Sequence, residues 1–170
     1  MSTKEHKAEA PASVNCMVIT VSDTRSKETD KSGQLMQQLL LESGHSTTLY
    51  EIVQDEPEKI KNAIENGLQH DKVDVILLNG GTGIAKRDTT YETVAALLEK
   101  EMPGFGEIFR YLSFVEDIGS AAILSRAVAG TVQGKAIFST PGSSGAVKLA
   151  MTRIIIPELG HVVRELRKDL

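Results

Sequence analysis

A chain of 170 residues with 41% hydrophobic content carries enough apolar material for one domain with a sizeable core, and too much for a disordered one. A net charge of −4 without a basic stripe, and an aromatic set of only three tyrosines and four phenylalanines, argue against nucleic-acid binding by charge or stacking. No apolar run approaches the roughly 20 residues that span a bilayer, no secretory h-region opens the chain, and one cysteine makes no internal disulfide, so a reducing cytoplasm is the expected setting.

Residues 1–13 are polar and alanine-rich and read as a flexible leader, which leaves 14–170 as a single domain. Val14–Ser22 is the first strand by its β-branched content, with Cys16 as an inert core thiol. Lys31–Ser43 reads as a helix with Met36, Leu39 and Leu40 on one face, closed by Gly44. His45–Val53 is the second strand. Asp55 and Glu58 then have capping-box spacing, and Pro57 suits a first helical turn. The helix they open runs to about His70 and presents Ile60, Ile64 and Leu68. Over Val73–Asn79, Val73, Val75, Ile76, Leu77 and Leu78 make a short apolar run, the pattern of a strand buried on both faces. Thr89 and Glu92 form a second capping box, at the start of a helix over Thr90–Lys100.

Glu101–Phe114 gathers Phe105, Phe109, Tyr111 and Phe114; a helix on the core, a subunit interface and a wall of a ligand pocket all fit. Ser125–Val132 is a possible short strand and Lys135–Thr140 a better one. Ser143–Leu170 is helical with an interruption at Pro157. The alternation predicts an α/β chain: a mostly parallel sheet covered by helices on both faces.

The carboxyl ends of parallel strands share one edge, so the polar loops that follow them converge there. They are Ser22-Asp23, Asp55, Gly80–Asp88 and Pro141-Gly142-Ser143-Ser144-Gly145. Gly80, Gly81 and Gly83 leave backbone N–H groups open to an anion, although a plain turn has the same look. The loop is neither G-x-x-x-x-G-K-[ST] nor G-x-G-x-x-G. Ser143 fits an N-cap. Asp55 and Asp88 fit helix starts as well as a Mg²⁺ site. Lys86 and Arg87 fit phosphate neutralisation as well as a solvated surface. No His is placed with a Ser or Cys so as to suggest a nucleophilic triad, and no Cys/His cluster has zinc spacing.

GGTGIAKRDTTYE resembles the GGTG-x-x-x-RD-x-T signature of the molybdopterin-binding MoaB/Mog family, nearest its bacterial MoaB branch. SDT, QDEPEKI, MPGF, LSRAVAG and STPGSSGAV follow the family's order, so the resemblance spans about Val14 to Leu166. It implies a three-layer α/β/α fold, a homotrimer or dimer of trimers, and a role in molybdenum cofactor biosynthesis. The activity it implies is transfer of AMP from Mg²⁺-bound ATP to molybdopterin with release of pyrophosphate. A carrier or scaffold that binds pterin or nucleotide without turnover is the alternative. Beyond Mg²⁺ and ATP, no tightly bound organic cofactor is expected.

By position, Asp55 and Asp88 match the family's catalytic or metal-associated aspartates. Gly80, Gly81, Thr82 and Gly83 match its ligand-cradling loop, joined at the strand-one end by Ser22 and Asp23. Ser113, Ser125, Pro141, Gly142 and Ser143 match positions implicated in pterin binding. Asn79, Lys86, Tyr91 and Ser144 depart from frequent family residues and bear on the branch rather than on membership.

Overall fold

The computed structural model describes residues 2–170. Its six strands are β1 (Asn15–Val21), β2 (Ser46–Val53), β3 (Val75–Asn79), β4 (Lys100–Glu101), β5 (Val128–Val132) and β6 (Lys135–Thr140). They form one sheet in the order β2-β1-β3-β6-β5-β4. β2, β1, β3 and β6 run parallel, while β5 and β4 extend the sheet as antiparallel strands. The sheet is mostly parallel, as expected, with an antiparallel border of two strands. That border arises at Gln133-Gly134, both at positive φ, where a tight hairpin reverses the chain without a crossover helix.

Seven helices flank the sheet: α1 (Thr3–Ala8), α2 (Lys31–Glu42), α3 (Pro57–Gln69), α4 (Thr90–Leu97), α5 (Pro103–Glu116), α6 (Ser144–Ala150) and α7 (Ile156–Arg167). Side chains alternate across each strand, so two cores form. Cys16, Val18, Val75, Leu77 and Phe138 face one way and meet Met36, Leu40, Phe109, Val147 and Leu159 from the helices. Met17, Ile19, Ile76, Leu78 and Ile137 face the other and meet Ile60, Ile64 and Val94. The layers are α/β/α. Burial pushes the Cys16 thiol up to about 12, in keeping with an unreactive core group. No described helix is long and apolar enough to cross a membrane.

Several boundaries differ from expectation, each for a local reason. The stretch read as a leader contains α1, which lies against α7. α4 ends at Leu97, because Glu99 donates its N–H to Thr131 and Lys100–Glu101 pair with β5. Residues 119–124 form a 3₁₀ turn, so β5 starts only at Val128. Neither capping box forms at α3 or α4: Asp55 bonds Thr89 instead, and Glu92 pairs with Arg126. The last helical segment is not broken at Pro157. It widens into a π turn over Met151–Ile155, in which Ile156 donates to the Met151 carbonyl, and this absorbs the N–H that Pro157 lacks.

Candidate active site

β1 turns back to β2 on one side and the chain crosses to β3 on the other, so the sheet's switch point lies between β1 and β3. The loops after β1, β3 and β6 meet there. Gly80 has φ +100°, and a Cβ on it would lie 2.2 Å from the Val21 carbonyl oxygen. Its N–H donates to Thr140 at 3.0 Å, tying the β3 loop to the β6 loop. Gly142 approaches so closely that a Cβ would lie 3.0 Å from the Gly80 Cα. These contacts demand bare backbone.

Between the loops opens a cleft of about 460 Å³. Ser22, Arg25, Gly80, Gly81, Thr82 and Gly83 line it with Asp88, Ser125, Pro141 and Gly142. No described residue accepts a bond from the N–H groups of Gly81, Thr82 or Gly83. Ile118, Ala121 and Leu124 supply an apolar wall. The Ser125 hydroxyl is buried in this wall without a partner.

A buried polar network lies behind the cleft. Asp30, at the N-cap of α2, is fully buried and accepts from the Gly33 N–H at 3.0 Å and the Thr20 hydroxyl at 2.6 Å. Tyr50 donates to the same carboxylate. Asn79 donates to Thr20 at 3.0 Å and accepts from Ser32 at 2.8 Å. Arg25 donates to Ser32, lies 3.5 Å from Asp30, and donates to the Gly142 carbonyl at 3.0 Å. Burial alone would raise the Asp30 pKa, but the hydrogen bonds and the Arg25 charge hold it below the ordinary carboxylate range. Burial and the bond to Asp30 together push the Tyr50 hydroxyl upward.

The opposite side is fixed by Asp23 and Arg126. Asp23 accepts from Arg87 at 2.8 Å and from the Asp55 N–H at 3.0 Å, and these bonds lower its pKa. Asp55 in turn accepts from the Thr89 N–H at 3.0 Å and the Thr89 hydroxyl at 2.8 Å. Arg126 donates to the carbonyls of Thr82, Gly83 and Asp88, pairs with Glu92, and lies 5.3 Å over the Tyr91 ring. Asp88 itself accepts from the Ala85 N–H at 3.2 Å and faces the cleft. It also borders a second cavity of about 630 Å³, lined by Lys61, Ile84, Lys86, Thr89 and Arg126 among others.

The structure thus brings Ser22, the Gly80–Gly83 loop, Asp88, Ser125, Pro141 and Gly142 to one cleft. Asp23 and Asp55 stand behind it as struts, and Ser143 caps α6 through the Ala146 N–H. Ser113 is buried in α5 and does not line the cleft. Arg25, Asp30 and Arg126 were not singled out from sequence as site residues. Arg25 and Arg126 lie within the quoted SDT and LSRAVAG neighbourhoods, but single arginines in loops have no signal of their own.

The chain matches the family model described as "Probable molybdopterin binding domain" over residues 17–161. It is 64% identical over 169 residues to molybdenum cofactor biosynthesis protein B of Halalkalibacterium halodurans, covering 99% of each chain. To the protein of that name in Bacillus subtilis it is 63% identical, again covering 99% of each. A crystal structure of a molybdenum cofactor biosynthesis protein B superposes with a TM-score of 0.92 at 58% identity, covering 94% of this chain and 99% of the other. On the family model and these relatives together, the chain belongs to the MoaB/Mog family of molybdenum cofactor biosynthesis proteins.

Proposed function

We propose that the chain adenylylates molybdopterin, using Mg²⁺-bound ATP and releasing pyrophosphate. The observation that carries this reading is the row of unpartnered N–H groups at Gly81, Thr82 and Gly83, with the Asp88 carboxylate on the same cleft. Joining two polyanions is mostly a matter of position and charge. A terminal phosphate oxygen of the pterin would attack the α-phosphorus of ATP; that P–O bond forms as the bond to pyrophosphate breaks. The phosphate is already largely ionised near neutral pH, so no general base is needed.

The backbone amides and Arg25 would hold the phosphates. The apolar wall of Ile118, Ala121 and Leu124 suits a flat ring, and the orphan Ser125 hydroxyl offers it a hydrogen bond. The two cavities that meet at Asp88 leave room for two ligands. A hard oxygen donor beside substrate phosphates is what Mg²⁺ requires, and Asp88 fits. Asp55 fits as the residue that fixes the Asp88-Thr89 backbone, with its Oδ1 occupied by Thr89. Mg²⁺ would supply charge neutralisation at the phosphates.

That same occupation of Asp55 favours a second reading, a pterin-binding protein without turnover. Incubation with molybdopterin and Mg·ATP decides between them. The enzyme yields adenylylated pterin and pyrophosphate in equal amounts; the binder yields neither. In the enzyme, Asp88→Asn is expected to cut turnover at least a hundredfold while pterin affinity by fluorescence titration changes little. The assembly we propose is a trimer or a dimer of trimers.

A further inference from the structure

Far from the cleft, α1 brings His6 against α7, beside His161 and Glu165. The three residues offer donor atoms that all lie within 4.8 Å of one another. His6 Nδ1 is 3.1 Å from Glu165 Oε1, and His161 Nε2 is 4.0 Å from the same oxygen. Donors about 2.05 Å from a tetrahedral ion sit roughly 3.4 Å apart, so a movement of at most about 1.4 Å in any one separation would close the set. His161 and Glu165 are one helical turn apart and share a face of α7. The two imidazole rings meet edge to face with centroids 5.9 Å apart rather than stacking.

A second, independent feature points the same way. The Glu158 carboxylate lies 2.9 Å from His161 Nδ1. A carboxylate accepting the proton of one ring nitrogen sets the tautomer and leaves the other nitrogen as a lone-pair donor, an arrangement typical of metal-bound histidines. Competing cations surround the cluster: Lys7 pairs with Glu158, while Arg164 and Lys168 pair with Glu165. Lys168 uses the other oxygen of Glu165, and Arg164 also bonds Glu9 through two of its nitrogens. An ion at Oε1 would therefore displace the Arg164 contact there and leave the Lys168 pair on the other oxygen.

We propose that His6, His161 and Glu165 form a site for a divalent transition metal of the zinc class, which staples α1 to α7. Two imidazoles and one carboxylate, with an open fourth position for water, suit Zn²⁺ or Co²⁺ and not Mg²⁺. Sequence inspection could not find the site, because its histidines come from opposite ends of the chain.

The test is calorimetric titration of the full chain with ZnCl₂ after dialysis against chelator, in wild type and in His6→Gln, His161→Gln and His70→Gln. One Zn²⁺ per chain with micromolar affinity is expected. His6→Gln and His161→Gln should each weaken it at least tenfold, and His70→Gln should leave it unchanged. Co²⁺ should give the visible absorption of a tetrahedral site in wild type alone among these, apart from the His70 control. Both histidines lie on exposed or half-buried helix faces, so the variants are expected to fold, and circular dichroism checks it. Absence of Zn²⁺ binding, or wild-type affinity in either the His6 or the His161 variant, overturns the proposal.

Discussion

At Gly81 a side chain has nowhere to go. Its φ is +68°, and a Cβ would lie 2.2 Å from the Thr90 hydroxyl and 2.6 Å from Asp55 Oδ2. Read from the sequence, Gly81→Val is expected to clash with a bound phosphate, at a modest loss of stability. The structure moves the first clash into the protein itself. Gly81→Ala is therefore expected to lower stability by about 2 kcal/mol as well as to weaken pterin binding, read by thermal melts and fluorescence titration. Asp30 shows the reverse case, a residue with no legible signal and a large structural share. Its lowered pKa contributes stability that is present above the ordinary carboxylate value and lost as pH falls through about 4 and below. Asp30→Asn should cost about 3 kcal/mol at pH 7, because Arg25 loses its buried partner, and should make the acid loss shallower. Urea midpoints at pH 7 and pH 3 in both proteins check the sign. The glycines were readable because backbone conformation restricts residue type. Asp30 was not, because its partners Thr20, Tyr50 and Arg25 are gathered by the fold.

Among elements, the segment from Thr82 to Asp88 depends most on a single side chain. Arg126 enters from the start of β5 and binds three carbonyls of that segment. Its guanidinium also covers the Tyr91 ring, so the first turn of α4 packs on the same side chain. Arg126→Ala should destabilise the chain by about 2 kcal/mol and lower the melting temperature by roughly 4–8 °C, with new proteolytic cleavage near Lys86-Arg87. The strands β1, β2, β3 and β6 were legible from their apolar runs. The ends of elements were less so: α4 is cut short by β4 pairing, and the expected strand over Ser125–Val132 pairs only from Val128, its first three residues being an irregular link after the 3₁₀ turn. Those boundaries are set by tertiary hydrogen bonds that no local pattern encodes.

At the scale of the molecule, the four aromatics of α5 divide. Phe105 and Phe109 are buried in the core, whereas Tyr111 and Phe114 are 65% and 55% exposed. Ile108, Tyr111 and Val115 form a stripe at helical spacing that remains open to solvent, and Ile123 beyond it is 82% exposed. Such a surface suits the head-to-tail contacts of a three-fold ring. Light scattering after gel filtration is expected to give masses in multiples of three subunits, and Tyr111→Glu should shift the population toward monomer. A wild-type monomer at micromolar concentration would rule this assembly out.

The two borders of the sheet limit how copies of the chain can meet at all. On one border, β4 is only two residues long, and both Lys100 and Glu101 are charged and exposed. On the other, the pairing of β1 with β2 slips by one residue between Cys16 and Met17, so that Thr48 has no counterpart. A short charged strand and an irregular one are poor templates for another chain's backbone. Neither border invites a continuous intermolecular sheet, which leaves the helical faces as the productive surfaces for self-association and guards the concentrated protein against fibrillar growth. Removing Thr48 would bring β2 into step with β1 along its whole length, and the expected result is faster turbidity on gentle heating.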